Sequence, residues 1–286
     1  MKKKFAVLSR TGKSSLHSNW VNEDYSKRSW DLFLIFFDRE AYENFKTEEG
    51  VSKDYVIGGK YTGIYKFLEK NNILEEYDYF WIADDDLLID SKSINKIFEL
   101  MEQYNFSVGQ PALSKDSYYT WLILIQNNTF KVRYSNFVEI MAPCISQKVL
   151  KNCLCDFKNA HTGLGIDQLW KMYSNNEKDK IVILDEVSIK HTRPVGGPIY
   201  SKLKNNNVNK FEEFNTLLKK YNKKKIKPIV YKAIMKDGSI IKNKYILGFL
   251  HIKEYFLNRN EFIDKKLTLN KLLRLFKYYF IYLIKI

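Results

Sequence analysis

The stretch YDYFWIADDDLLID, residues 77–90, decides how the rest of the chain is read. Phe80, Trp81, Ile82 and Ala83 form an apolar run of the kind that lies buried in a sheet. Asp84, Asp85 and Asp86 follow at once, and adjacent carboxylates repel one another. Either a cation offsets that repulsion or the triplet lies at a solvated strand end. Residues two apart on a strand point the same way, about 6–7 Å apart, so Asp84 and Asp86 are expected to share a face while Asp85 points elsewhere. Carboxylates at the carboxyl end of a parallel strand suit a hard divalent ion, Mg2+ or Mn2+, which completes its shell with water and phosphate oxygens. That end of an α/β sheet is also where nucleotides bind. A solvated turn with acids at a helix start accounts for one or two aspartates, Asp90 included, and poorly for three.

Working outward, residues 4–8 and 31–37 (DLFLIFF) are continuous apolar runs, the pattern of strands buried on both faces. Residues 61–70 are expected to be helical, with Ile64, Phe67 and Leu68 on one face. Residues 91–103 follow the same rule through Ile94, Ile97, Phe98 and Met101, with Ser91 or Ser93 as cap. Strand and helix alternate here, as in a parallel sheet covered by helices. The middle differs. YTWLILIQNNTFKVRYS (119–135) reads as a hairpin over Asn127-Asn128, residues 146–152 and 165–174 as helices, and KIVILDEVSIKH (180–191) as two short strands. A lysine- and asparagine-rich stretch, 202–227, reads as a boundary. YKAIMKDGSIIKNK (231–244) follows as a small hairpin over Asp237-Gly238, and 265–286 as a basic amphipathic helix that becomes apolar all round. The expected architecture is a mixed α/β sheet flanked by helices over residues 1–200, with a basic C-terminal extension over 201–286.

The 286 residues suit one large domain, or one domain and an appendage, and a 45% hydrophobic content supports a sizeable core. The net charge of +14 is uneven: residues 201–286 hold 21 Lys and Arg against 6 Asp and Glu, and residues 1–200 hold 26 against 27. A near-neutral domain with a basic tail implies that the tail meets something anionic, a phosphate backbone or a membrane surface. Cys144, Cys153 and Cys155 match no zinc or redox spacing and read as reduced cytoplasmic thiols. MKKKFAVLSR resembles a signal peptide, but its apolar run, Phe5 to Leu8, is too short for one and reads as a first strand. No run approaches the ~20 apolar residues that span a bilayer.

Other motifs cluster after strands. SRTGKSS (9–15) is half a phosphate-binding loop, since Val7 stands where the motif needs its first glycine. Ser9 and Arg10 still edge a reasonable nucleotide shelf. GLGIDQLW (163–170) puts two glycines before a helix start that carries Asp167, which is either a dipole partner or a general base. IKHTRPVGGPIY (189–200) places His191 and Arg193 just past the last core strand, where His191 is either structural or a metal ligand. Asp38 ends the second strand, where a ribose or base could lie or a polar loop begins. Lys60, in GGKYTG, is placed either to answer a diphosphate or to meet solvent.

FWIADDDL, QPALSKDSYYTW, RYSNFVEIMAPCIS, GLGIDQLW and HTRPVGG occur in this order, and together they resemble the domain of unknown function 707 family, glycosyltransferase-like proteins with a GT-A fold. The resemblance covers roughly residues 4–200 and implies a nucleotide-sugar-dependent glycosyltransferase. By that resemblance Asp84 and Asp86 hold Mn2+ or Mg2+ against the donor diphosphate, with Asp85 beside them and His191 completing the metal shell. Asp167 is the expected base of an inverting transfer, and Glu139, in NFVEIMAP, the reserve. Lys60 and Arg193 join the metal in neutralising the leaving diphosphate. The GLGIDQLW segment departs from the acid pair of some GT-A families by having Gln168 after Asp167.

Two other classes use the same residues: a metal-dependent phosphoryl-transfer enzyme or nuclease, and a non-catalytic membrane-surface protein on a degenerate transferase fold. No nucleic-acid-binding signature appears, so no nucleic-acid partner is expected. The expected partners are a nucleotide sugar and a glycan or lipid-linked acceptor, as in bacterial surface polysaccharide or lipooligosaccharide synthesis. The terminal helix, with Leu269, Leu272, Leu273, Phe276, Tyr279, Phe280 and Leu283 in helical spacing, packs either on the domain, or on a second subunit in a homodimer, or on a membrane. Its basic residues and apolar last turns favour peripheral attachment to the inner face of the plasma membrane.

Overall fold

The computed structural model describes residues 3–194 and 210–281. The N-terminal half alternates as the apolar runs require: β1 Phe5–Thr11, β2 Trp30–Phe36, α1 Arg39–Asn44, β3 Val51–Tyr55, α2 Lys60–Asn71, β4 Tyr79–Asp84, a two-residue β5 Leu87–Leu88, and α3 Ser91–Gln103. Then come β6 Val108–Leu113, β7 Phe130–Ser135, β8 Cys144–Ser146, α4 Gln147–Phe157, α5 Trp170–Tyr173 and β9 Ile181–His191. The C-terminal part adds α6 Lys210–Lys220, β10 Val230–Met235, β11 Ile240–Ile241, α7 Lys244–Leu257 and α8 Lys265–Phe276, which runs into a π-helical turn, Lys277–Ile281.

All strands but β5 join in the order β11-β10-β7-β9-β6-β8-β4-β1-β2-β3. The pairings β1–β2, β2–β3, β1–β4 and β6–β9 are parallel, while β7 and β8 run against their neighbours. The carboxyl ends of β1, β4, β6 and β9 therefore lie along one edge. β5 pairs antiparallel with the end of β9, Leu87 opposite His191, which brings the residues after the aspartates beside that histidine. Trp20, Trp30, Trp81 and Trp170 are fully buried, and the Trp20 and Trp81 rings lie 5.6 Å apart. Asp90, not a serine, caps α3 by accepting from the Ser93 N–H. The mixed α/β sheet flanked by helices is as the sequence indicates.

Three expectations are corrected. Residues 119–126 do not form the first strand of a hairpin. Leu122–Leu124 make a 3-10 turn, and the carbonyls of Ile123 and Ile125 accept from the buried Arg133 guanidinium instead of from a strand partner. Residues 180–191 form one strand, β9, whose register against β6 shifts between Pro111 and Ala112. The boundary at residue 200 does not separate a free-standing extension: β10 pairs antiparallel with β7 and so lengthens the same sheet.

The last helices are also bound in. Arg133 and Asp185 form a fully buried ion pair (Nε–Oδ2 2.6 Å, Nη2–Oδ1 2.8 Å). Arg133 Nη1 also donates to His251 Nε2 at 2.8 Å and to Tyr255 Oη at 3.3 Å, both on α7. The proton of His251 therefore sits on Nδ1, which donates to Tyr279 Oη at 2.9 Å. Burial, with Arg133 beside it, holds His251 well below the ordinary imidazole range. Leu272, Leu275 and Tyr279 pack inward. Leu283, like the rest of 282–286, lies outside the described residues.

Candidate active site at the carboxyl edge of the sheet

β4 ends at Asp84, and Asp85 and Asp86 form the turn into β5. Each aspartate meets a different cation. Asp84 Oδ1 lies 2.8 Å from Lys60 Nζ. That ammonium also donates to the carbonyls of Ile140 (2.7 Å) and Met141 (2.8 Å), so its hydrogens are taken up within the protein. Asp85 accepts from the Gly12 N–H at 2.8 Å and from Arg193 Nη1 at 3.1 Å. Arg193 Nη2 reaches the Ser14 carbonyl, and the Leu16 N–H donates to the Asp85 carbonyl at 2.7 Å. Asp85 and Arg193 together thus fasten the loop that follows β1. Burial pushes the Asp84 and Asp85 carboxyls up from the ordinary range, against the pull of Lys60 on the first and of Gly12 and Arg193 on the second.

Asp86 is placed otherwise. Its Oδ2 lies 3.3 Å from His191 Nε2, and its Oδ1 is buried with no hydrogen-bond partner among the described residues. His191 Nδ1 lies 2.9 Å from the Tyr118 carbonyl, which can only accept, so Nδ1 carries the proton. In the neutral ring Nε2 is then bare and faces a carboxylate. A proton or a cation at that point relieves the opposition. Burial alone would lower His191, but the hydrogen bond and charge of Asp86 raise it above the ordinary imidazole value.

Two further carboxyls close the site. Asp167 lies in the 3-10 turn Ile166–Gln168, entered through Gly165 at φ +102°, a conformation that favours glycine. Burial raises Asp167 to about 6, although Gln168 Nε2 donates to it at 3.0 Å. Glu139 follows β7 in a loop held by its own N–H, which donates to Gln110 Oε1 at 2.7 Å. Burial, with the charges of Asp167 and Asp84, raises Glu139 to about 7, while His191 pulls the other way. Asp167 is 6% exposed, and Glu139 is the more open of the two. The C-terminal part braces this end: Glu213 on α6 accepts from the Thr162 and Gly163 N–H groups, and the Ile226 N–H donates to Gln168 Oε1.

Asp84, Asp86, His191, Asp167 and Glu139 are brought to one edge; other sequence candidates serve elsewhere. Ser9 is fully buried inside β1. Arg10 is buried, donates to the Ile35 and Gly58 carbonyls, and is lowered to about 10 by burial. Asp38 caps α1 through the Ala41 N–H. Lys60, Asp85 and Arg193 hold the site's framework, as above. Asp84 and Asp86 turn to different partners, so the expected three-ligand set of Asp84, Asp86 and His191 is not assembled, and no cluster of three or more His, Cys, Asp or Glu arranged for a metal occurs among the described residues. Sequence reading missed Gln110 and Tyr118. Gln110 had a legible signal, a lone amide in the otherwise apolar strand VGQPAL. Tyr118 acts through its carbonyl, which no side chain announces.

A shallow cleft of about 290 Å3 lies beside the Asp85 loop, lined by Gly12, Lys13, His17, Phe36, Glu40, Ala41, Asn44 and Phe45. His17 and Phe45 meet there edge to face with centroids 5.3 Å apart.

No family model matches the chain, and no curated protein sequence matches it. Among solved structures it is similar to Staphylococcus aureus TarS 1-349 in complex with UDP-GlcNAc, at 14% identity and TM-score 0.46, over 77% of this chain and 72% of that one. It is similar to GalNAc-T7 with UDP, GalNAc and Mn2+ at 9% identity and TM-score 0.48, over 75% of this chain and 50% of that one. It is also similar to 4-diphosphocytidyl-2C-methyl-D-erythritol synthase from Anaerococcus prevotii, at 8% identity and TM-score 0.40, over 76% and 96%.

Proposed function

We propose that the chain is a glycosyltransferase of GT-A type that takes a sugar from a nucleotide-sugar donor and passes it to a hydroxyl of a glycan or lipid-linked acceptor. The observation that carries the reading is the Asp86–His191 pair, an imidazole nitrogen facing a carboxylate whose other oxygen has no partner among the described residues, at the carboxyl edge of parallel strands. Beside it stand two carboxyls raised into the range of a working base. The five sequence blocks that resemble the domain of unknown function 707 family contribute every one of these residues.

The donor set fits a hard divalent ion, Mn2+ or Mg2+. Asp86 and His191 would hold it, with water and donor phosphate oxygens as the remaining ligands, since no third acid or histidine joins them among the described residues. Such an ion supplies charge to stabilise the departing diphosphate. The protein's own residues do the rest. Asp85 and Arg193 fix the loop over the nucleotide cleft, where His17 and Phe45 offer an apolar wall for a base. Lys60 keeps Asp84 and the strand end in place. Glu139, the more open of the raised pair, takes the proton from the acceptor hydroxyl as its oxygen bonds to the anomeric carbon and the bond to the diphosphate breaks. Burial and, after it, the like charge of Asp167 keep the Glu139 carboxyl high, which inverts the order of preference drawn from the sequence.

The test is a panel of nucleotide sugars and nucleoside diphosphates, with and without Mn2+, read by thermal shift and by donor hydrolysis. Stabilisation by a nucleoside diphosphate that depends on the metal, with slow release of it from one donor, supports the reading. Absence of both across the panel, or metal-dependent cleavage of nucleic acid, removes it.

A further inference from the structure

Among the described residues, ten of the fifteen large hydrophobic side chains left exposed lie between Tyr245 and Ile281. On α7, Phe249, Phe256 and Leu257 face outward, at 58%, 51% and 62% exposure; on α8, Leu269, Leu273 and Phe276 do so, at 46%, 63% and 46%. The two stripes are continuous. The Phe280 ring stacks on Phe276 at 4.8 Å and meets Tyr245, at the start of α7, at 5.9 Å. A patch of this extent is unusual on a chain that stays in water.

The exposed charge on the two helices is basic, while the acids Glu261 and Asp264 stand in the connection between them, Glu261 paired with Lys115 at 3.1 Å. Lys253 lies over the Phe249 ring at 5.9 Å and Arg259 over the Phe256 ring at 4.8 Å. Arg274 and Lys277 are exposed on α8 and in the turn after it, and residues 265–281 contain no acid. Glu254, the acid of α7, is turned inward onto Lys115 at 2.9 Å. Cationic heads set over exposed rings, on stems that lie along apolar surface, match the boundary between lipid headgroups and chains. No helix among the described residues is long and apolar enough to cross a membrane.

We infer that α7 and α8 form a docking surface for an anionic lipid bilayer, on which the protein lies without crossing it. The inference rests on these two helices alone and not on the reading of the active site. It has a consequence for that site. The inner face of α8 holds Tyr119 through Thr268 (Oγ1–Oη 2.7 Å) and Lys271 (Nζ to the Tyr119 carbonyl, 3.3 Å). Tyr119 adjoins Tyr118, whose carbonyl orients His191. A bilayer on the outer face of α8 therefore lies across that helix from the Tyr118–Tyr119 segment that orients His191.

The experiment is flotation of the full chain with phosphatidylcholine vesicles, with or without phosphatidylglycerol, beside sedimentation velocity without lipid. A variant with Phe249, Phe256, Leu273 and Phe276 changed to Ser alters only exposed positions, so its melting temperature should match the parent. A second variant, with Lys253, Arg259, Arg274 and Lys277 changed to Gln, covers the case in which the first fails to fold. The parent should float with phosphatidylglycerol vesicles, and either variant should lose roughly tenfold or more of that binding. No flotation of the parent, or flotation that folded variants retain, overturns the inference. So does a dimer in lipid-free solution that the Ser variant dissociates while the parent ignores vesicles, since the patch then covers a second copy.

Discussion

At Asp86 one carboxylate oxygen faces the His191 imidazole and the other has no partner among the described residues, whereas at Asp85 both oxygens are used. The neighbouring acids should therefore fail in different ways. Asp85→Ala strands the buried Gly12 N–H and frees Arg193, at about 1–3 kcal/mol for the lost partner, so its melting temperature falls. Asp86→Asn removes a charge that, among the described residues, meets His191 alone, so at pH 8, with the imidazole neutral, its melting temperature stays level or rises while any stabilisation by Mn2+ with a nucleoside diphosphate disappears. A metal response kept by Asp86→Asn and lost only in Asp85→Ala would reverse the assignment. At Glu139 the prediction concerns pH. Its folded carboxyl is raised to about 7 from an ordinary value of about 4.3, so the stability it contributes is present at low pH and drains away as pH rises through 7. The parent should therefore melt lower at pH 8 than at pH 5, and Glu139→Gln should flatten that slope. In turnover the same variant should lose about 10²–10⁴-fold and keep its nucleotide affinity. A Gln variant with near-normal transfer hands the base role to Asp167. The sequence made the triplet and both acids legible, because carboxylates beside apolar runs demand an explanation. It hid their pairing, because which cation meets which acid depends on a turn at Asp85-Asp86 that breaks the period-2 geometry of a strand.

Among elements, α3 runs over 91–103 as its apolar spacing predicts, since a strongly amphipathic helix is specified by local pattern. The segment 122–124 shows the opposite case. Its run of Leu and Ile fits a strand, but a strand needs a ladder partner, and here the carbonyls of Ile123 and Ile125 are taken by Arg133. That arginine sits in an ordinary strand pattern in the sequence, and nothing local shows that its partner is Asp185, fifty-two residues on. The pair joins β7, β9 and α7 through His251 and Tyr255, so it holds the C-terminal helices to the sheet. Asp185→Asn leaves a buried guanidinium without its counter-charge, and about 3–5 kcal/mol of stability should go. Chemical denaturation measures it. A loss under 1 kcal/mol would mean that the helices are held by apolar packing alone.

For the whole molecule, the alternating front half was legible because each strand and helix declares itself locally. The place of the last third was not, because its role is set by long-range pairing. The lysine-rich stretch that reads as a boundary contains α6, whose Glu213 braces the Asp167 loop, and β10 joins the sheet through β7. Within 265–281, Leu272, Leu275 and Tyr279 are accordingly part of the core, unlike the removable tail the composition of 265–286 describes. Truncation at 264 strips Leu272, Leu275 and Tyr279 from the core, and a buried side chain of that size is worth about 1.5–3 kcal/mol. It also removes Thr268 from Tyr119 and Tyr279 from His251. Set against a typical domain stability of about 5–15 kcal/mol, that loss approaches the whole margin. The truncated chain should therefore melt far below the full chain, or aggregate, and should lose nucleotide-dependent stabilisation. The four-Ser variant of the outer face keeps every one of these inward contacts, so it should retain both while it loses lipid. Melting curves of the two proteins side by side decide the point. If the truncated chain melts with the full chain and still responds to nucleotide, α8 is an appendage after all, and the contact of Thr268 and Lys271 with Tyr119 has no part in holding His191 in place.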